Sequence, residues 1–387
     1  MRIVGVVAEY DPFHNGHAWQ LAEAKRLSGA DAVVVVMSGF FTQRGDPACL
    51  SPFARAACAL EGGADLVALL PVVWSLQSAE GFALGALRIL QGLGIDALSF
   101  GAETADAGLL SEAAAAMDSE TIRPLLRREL ETGIGWPAAM EKALSAVDPR
   151  LGELLRTPNN TLALAYLRAA ARLGMHLTFF PVLRTHPHHA TESSGSLSSG
   201  SGIRKALLNG DWAGIQPVVP ESTIRCLKSA ADQHRLVFST SLDQALLARL
   251  RTMDVADFAT LPDCSEGLNQ ALQAASRSCV TREQILNHLS GKRYSRARIN
   301  RLCTSALLGL GQEKLPPLPD CALIIGIHSG MESLLRPAFP DFPLLTRSRD
   351  YPESAPWYRA EQRAADLWAL AAGLPAGLWE KAPLIRV

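Results

Sequence analysis

The chain has 387 residues, 48% of them hydrophobic, 19% charged and 6% aromatic; that length accommodates two cores, and that composition excludes disorder. Thirty-seven basic side chains face thirty-eight acidic ones, a formal net charge of −1, so no global field attracts a polyanion and any nucleic-acid partner must be met by a local patch. The opening MRIVGVVAEY is too short an apolar run for a signal peptide, and no later segment reaches the roughly 18 uncharged apolar residues of a membrane span. The expectation is a cytoplasmic protein with no membrane partner.

In chain order, the N-terminal part alternates short β-branched runs with helical stretches, the pattern of βαβ units around a parallel sheet. Strands are predicted at 3–8, 32–37, 65–70 and 96–100, and helices at 18–27, 52–60 and 79–90. The AVVVVM run at 32–37 is continuously apolar, as a strand covered on both faces requires. Helices follow at 107–117, 122–131, 136–144 and 160–173, then a fifth strand at 177–183. Residues 185–202 are rich in Ser, Gly and His and read as a long loop, uncommon in a compact domain unless it is functional, before a helix opens at Ile203. After about residue 230 the β-branched alternation stops: helices are expected at 242–250, 267–275, 282–289 and 298–310, one strand at 322–327, and a last helix at 361–372. The fold class is therefore α/β, an N-terminal doubly wound parallel sheet over 1–230 followed by a mainly helical unit over 231–387.

Seven cysteines, Cys49, Cys58, Cys226, Cys264, Cys279, Cys303 and Cys321, are scattered and never spaced as CxxC, so they read as small buried hydrophobes rather than a zinc site or disulfide frame.

The first predicted strand runs straight into Glu9-Tyr10-Asp11-Pro12-Phe13-His14-Asn15-Gly16-His17, with a helix immediately after. At such a turn, on the carboxyl edge of a parallel sheet, unpaired N–H groups and the positive end of the helix dipole face an anion. Gly16 lets the main chain approach a phosphate, and His14 and His17 add two imidazole donors suited to the charge that develops when an adenylyl group is transferred. Two histidines three apart also occur by chance; the strand before and the helix after are what single these out. Downstream, Leu197-Ser198-Ser199-Gly200-Ser201-Gly202-Ile203-Arg204 reads either as a flexible linker or as a second anion cradle, in which Ser199, Ser201 and the fork of Arg204 meet phosphate. Gln43-Arg44-Gly45 offers a further cation, Arg44, at the same sheet edge; a solvated loop is the competing reading.

These two signatures resemble the nucleotidylyltransferase superfamily, whose fold is related to class I aminoacyl-tRNA synthetases. VVAEYDPFHNGH, MSGFFTQRGDPA, ADLVALLPV, SFGAE, TPNNTLALAYL and LRTHPHH more closely resemble successive blocks of the bacterial tRNA-Met cytidine acetate ligase family, and the likeness runs on through RINRLCTSALLGL, ALIIGIHSGMESLL and PLLTRSRDYP. The resemblance implies ATP as substrate, with Mg2+ as an optional companion, acetate activated as acetyl-adenylate, and transfer of the acetyl group to the exocyclic amine of the wobble cytidine of elongator tRNA-Met. It implies catalytic roles for His14 and His17. It also implies ATP contacts from Val7-Ala8-Glu9-Tyr10-Asp11-Pro12-Phe13-His14-Asn15-Gly16-His17-Ala18-Trp19-Gln20 and from Gly101, Asn159 and Arg184. Two departures stand out: Ser51-Pro52-Phe53 where the family leads one to expect a lysine, and Arg184-Thr185-His186-Pro187-His188-His189 in place of Arg-Ile-Gly-Ala-Gly-Tyr.

His186, His188 and His189 could chelate, yet no cysteine or carboxylate stands at ligand spacing, so a loop near nucleotide or RNA is preferred and no metal site is assigned. Gly291-Lys292-Arg293-Tyr294-Ser295-Arg296-Ala297-Arg298-Ile299-Asn300-Arg301 concentrates cations in a near-neutral chain. Lys292, Arg293, Arg296 and Arg298 suit RNA phosphates and Tyr294 suits a splayed base; a solvated helix start is the alternative, although cations there oppose the dipole. Two other functions stay open: a small-molecule nucleotidylyltransferase of cofactor biosynthesis, and a nucleotide- or RNA-binding regulator without catalysis. Oligomeric state is open as well.

Overall fold

In the computed structural model, residues 1–184, 199–265, 267–291, 293–311, 317–351 and 356–387 are described. β1 (Ile3–Ala8), β2 (Ala32–Ser38), β3 (Leu66–Leu70), β4 (Ala97–Ala102) and β5 (Thr178–Leu183) form a parallel array in the order β5-β4-β1-β2-β3. All seven residues of β2 are buried, because helices cover both faces of the sheet, as its unbroken apolar run requires. The order reverses between β1 and β4, so their carboxyl ends diverge and open a crevice, the place where doubly wound sheets bind ligands.

Helix α1 (Asn15–Ser28) follows β1, and α2 (Pro52–Glu61) follows β2. α2 starts where it does because Ser51 caps it, accepting from the Ala54 N–H at 3.2 Å, and Pro52 occupies the first helical position. That is the physical content of Ser51-Pro52-Phe53: a helix start. Pro158 likewise occupies a helix start, that of Pro158–Arg172, two residues ahead of the expected beginning at 160.

The C-terminal part divides in a way that periodicity did not show. Leu246, Leu250, Phe258, Leu268, Leu272, Ile285, Ile299 and Leu302 belong to a core of their own, built by the helices Asp243–Thr252, Leu268–Ser278, Arg282–Leu289 and Arg296–Leu308. From Cys321 onward the chain returns to the sheet: β6 (Ala322–Ile327) lies antiparallel against β3, and β7 (Leu344–Leu345) and β8 (Ile385–Arg386) pair with β6. Trp357, Tyr358, Trp368 and Trp379 join the sheet's core rather than the helical one. β6 is wholly buried; its ALIIGI run satisfies the edge of β3 that would otherwise expose unpaired N–H and C=O groups. An apolar run announces a buried strand but not which edge it will cover.

Candidate active site

Between β1 and α1 the chain makes a compressed turn. Tyr10 sits in the left-handed region at φ 50° and the Asp11–Pro12 peptide is cis; a non-glycine residue in the left-handed region is strained and persists only where its surroundings hold it. The holding is visible. Tyr10 is buried, with its ring centroid 4.8 Å from that of Phe13 and 4.8 Å from that of His17. Phe13 is fully buried against Gly62, where an added Cβ would come within 2.4 Å of the ring, so that glycine is required by close approach. Arg55, wholly buried, donates to the carbonyls of Glu9 at 2.5 Å, Leu50 at 3.2 Å and Gly39, tying three chain ends together beneath the turn.

His14 is the N-cap of α1, and its own N–H donates to His17 Nδ1 at 3.3 Å. That bond assigns the His17 proton to Nε2. The two imidazoles stack with centroids 3.6 Å apart and planes 19° from parallel. Burial pushes His14 down to about 3, with the Arg184 charge adding to the effect. Burial, then His14 and Arg184, likewise hold His17 well below the usual range. Both lowered values favour neutral rings, and His14 Nδ1 is buried without a hydrogen-bond partner among the described residues.

The end of β4 forms the opposite wall. Gly101 leaves room for Arg184, whose Cγ and Cδ would lie 3.3 Å from a Cβ placed there. Arg184 Nη1 reaches Asn159 Oδ1 at 3.5 Å, and Asn159 Nδ2 donates to Glu103 Oε1 at 2.6 Å. Asn160 is turned the other way. Buried, it accepts from the N–H groups of Glu103 and Thr104, both at 3.0 Å, while Glu103 Oε2 accepts its own N–H at 2.9 Å. The two asparagines thus lock the end of β4 to the start of the helix Pro158–Arg172.

The glycine-rich segment closes a third side. Ser199 caps the helix Gly200–Leu208, accepting from the Gly202 N–H at 3.2 Å. A Cβ on Gly200 would meet the Asp11 carbonyl at 2.7 Å, and Arg204 Nη1 lies 2.5 Å from that carbonyl and 3.0 Å from Asp11 Oδ2. Asp11 Oδ1 accepts from the Cys49 N–H at 2.7 Å. The second signature is therefore docked directly on the first through Asp11, and Arg204 acts first as that carboxylate's partner.

Together these walls enclose a cleft of about 310 Å³. Of the sequence-predicted residues it brings together Val7, Ala8, Glu9, Tyr10, Asp11, His14, His17, Gln20, Gly101, Asn159 and Arg184, with Arg44, Ser199, Ser201 and Arg204. Pro12, Phe13, Asn15, Gly16, Ala18 and Trp19 are not among its lining residues: Phe13 lies in the core, Trp19 is 41% exposed, and Asn15 Nδ2 donates to the Pro217 carbonyl at 3.0 Å. Sequence reasoning missed the apolar end of the cleft, Ala79, Phe82, Phe100, Leu162 and Tyr166, because aromatic and aliphatic residues at those spacings look like ordinary core. It also missed Arg55, whose one signal was an arginine inside the apolar PFARAACAL run.

The cationic segment stands at the start of the helix Arg296–Leu308, and much of it is already engaged. Arg296 pairs with Glu283 and Asn287, Arg298 donates to the Asp263 carbonyl and to Ser265, and the guanidinium carbons of Arg293 and Arg298 lie 5.4 and 5.6 Å from the Tyr294 ring centroid. Lys292, His186, His188 and His189 lie outside the described residues. Among the described residues no cluster of His, Cys, Asp and Glu is placed to hold a metal ion, and no helix is long and apolar enough to cross a membrane.

A family model described as HIGH Nucleotidyl Transferase matches residues 1–375. The tRNA(Met) cytidine acetate ligase of Acetivibrio thermocellus is 34% identical over 352 residues, 87% of this chain and 85% of its own length. That of a Thermoanaerobacter species is 31% identical over 384 residues, 96% of each. A crystal structure of Thermotoga maritima TmcAL bound with alpha-thio ATP matches with a TM-score of 0.88 at 25% identity over all of both chains, and the apo form reaches 0.91 at 26%. With its two signatures docked on one another at the reversal point of the sheet, and with relatives alike over nearly their full length, the chain belongs to the HIGH nucleotidyl transferase family and, within it, to the tRNA(Met) cytidine acetate ligases.

Proposed function

We propose that the protein is an ATP-dependent ligase that activates acetate as acetyl-adenylate and passes the acetyl group to the exocyclic amine of the wobble cytidine in elongator tRNA-Met. The observation that carries the reading is the stacked, neutral His14–His17 pair at the sheet's reversal point, with His14 Nδ1 unpartnered. In the first step an acetate oxygen attacks the α-phosphorus of ATP, the bond to the bridging oxygen breaks, and pyrophosphate leaves with the electron pair. His17 Nε2–H, Arg184 and the N-terminus of α1 face the charge that builds on the phosphoryl oxygens. A triphosphate beside the imidazoles offsets their desolvation and draws protons toward them. In the second step the cytidine amine attacks the acetyl carbonyl, the carbonyl carbon's bond to the AMP oxygen breaks, AMP departs, and the amine loses a proton.

Support for the nucleotide comes from the glycines at the walls, Gly101 and Gly200, and from three guanidinium groups in one cleft, Arg44, Arg184 and Arg204. We place tRNA on the helical unit of residues 243–308, with Arg293 and Tyr294 at its exposed corner. Mg2+ as a companion of the triphosphate is part of the same proposal, supported by the chemistry of polyphosphates rather than by protein ligands. The test is to incubate the protein with ATP and labelled acetate, with and without bulk tRNA. Acetate-dependent ATP–pyrophosphate exchange is expected without RNA, and acetylcytidine only with it. Exchange that ignores acetate but requires a phosphorylated small molecule points instead to cofactor biosynthesis, and no exchange at all to a binding protein.

A further inference from the structure

Three arginines line the cleft, and two of them are committed elsewhere: Arg204 to Asp11, and Arg184 to Asn159 across Gly101. Arg44 differs. Its side chain is exposed and no hydrogen bond or ion pair holds its guanidinium among the described residues, so its aim depends on its main chain.

That main chain is gripped from far away in sequence. Asn300 Nδ2 donates to the Arg44 carbonyl at 2.9 Å and to Asp46 Oδ1 at 2.9 Å. The Gly45 carbonyl accepts from Thr304 Oγ1 at 2.6 Å and from Arg282 Nη1 at 3.2 Å, and Arg282 also reaches Asn300 and Thr304. Ser239 adds a bond to Asp46 at 2.9 Å. Gly45 has φ 89°, and a Cβ there would lie 2.8 Å from the Arg301 nitrogen, so the loop is seated flush on the helix Arg296–Leu308. On its inner side the Gln43 N–H donates to Glu9 Oε1 at 2.6 Å, which joins the same loop to the end of β1.

Arg282, Asn300 and Thr304 are 2%, 4% and 0% exposed. A buried guanidinium whose nearest carboxylate, Asp243, is 3.9 Å away is costly to desolvate, and here it is spent on a loop carbonyl. We propose that Arg282, Asn300 and Thr304 are positioning residues through which the helical unit fixes Arg44 against the polyphosphate of the bound nucleotide. This rests on the ATP reading of the cleft. It makes the catalytic site incomplete without the unit that carries the cationic segment, since Arg296–Leu308 bears that segment at one end and the clasp just behind it.

Mere docking of one unit on another would weaken the fold without acting through Arg44, and a double-mutant cycle separates the two. ATP affinity is titrated by calorimetry for the full-length wild type, Thr304→Val, Arg44→Ala and the double variant, and again with Asn300→Ala in place of Thr304→Val. Thr304→Val keeps the shape and removes only the hydroxyl. The expectation is about a tenfold loss of affinity for Arg44→Ala, a loss of about fivefold for either clasp variant alone, and no further loss when it is added to Arg44→Ala, the non-additivity of residues that act as one unit. Clasp variants that fold and leave ATP affinity unchanged, or that weaken it by the same factor with and without Arg44, overturn the proposal. A wild type that binds ATP but shows no acetate-dependent exchange overturns the ligase reading alone, because the affinity cycle is scored without the reaction.

Discussion

The two sides of the cleft are built by opposite means. The His14–His17 corner is made by residues within a few positions of each other: a strand end, a capping histidine, a ring stack and a helix start. The facing rim, Thr42–Asp46, is held by Ser239, Arg282, Asn300 and Thr304, separated from it by 193 to 259 positions. The imidazole pair thus rests on a local framework, whereas the loop that carries Arg44 does not. The part of the site joined to the helical unit depends on long-range contacts.

The largest expected effect lies in the local corner. His14→Ala and His17→Ala should each lower adenylate formation by about 100- to 1000-fold, the scale of losing a preorganised donor to a developing charge. Single-turnover assays with ATP and acetate measure it, and a fully active double variant would remove the basis of the comparison.

Next comes the seating of the rim. Gly45→Ala meets a backbone nitrogen at 2.8 Å in a left-handed conformation, whereas Gly29→Ala, also left-handed at φ 59°, meets nothing within 4 Å. Thermal melts should show a loss of about 1 to 2 kcal/mol for Gly29→Ala from conformation alone, and a clearly larger loss for Gly45→Ala because main chain must also move. Equal losses would mean that the rim is not seated as described.

The C-terminal helix Pro356–Ala371 supplies another long-range tie: fully buried Glu361 accepts the Val72 N–H, 289 positions away. Burial pushes its carboxyl up to about 8. Its folded value is thus raised above the unfolded one of about 4.5, so the protonated form stabilises the fold below that point, and stability falls as the pH rises toward 8. The slope is about 1.4 kcal/mol per pH unit. Glu361→Gln should flatten the decline in denaturant titrations at pH 6 and pH 8; parallel declines in the two proteins would refute the assignment. The histidines act in the reverse direction. Their depressed values make stability fall as pH drops below about 6.5.

The smallest effect is expected at the cationic segment, because Arg296 and Arg298 already have partners in their own unit. Neutralising Arg293, Arg296 and Arg298 together should weaken tRNA binding about tenfold and reduce its salt dependence, while acetate-dependent exchange persists. Unchanged RNA affinity would move the RNA surface elsewhere.

Much of this architecture is legible in the sequence alone. β1, β6 and the helices Ala107–Met117, Ile122–Glu131 and Arg282–Leu289 begin and end where periodicity puts them, since a period of 2.0 or 3.6 and a cap are local properties. The HxGH turn is legible for the same reason: strand, loop and helix are consecutive, and their order alone places imidazoles at a helix start. Arg55, the Asn160 lock and the aromatic end of the cleft are not, because a buried arginine or phenylalanine shows no sign in its letters of which carbonyl or ligand it will face.

The amino-acid sequence by itself determined the alternation of strands and helices, the HxGH turn between strand and helix, and the family, because each is written in neighbouring residues. Only the tertiary structure decided that the last strands return to the edge of β3, that Asp11 joins the two signatures, and that a helical unit near residue 300 holds a loop near residue 44. Those pairings depend on which buried polar groups find each other once the chain has collapsed, a condition that involves the whole fold and no single stretch of it.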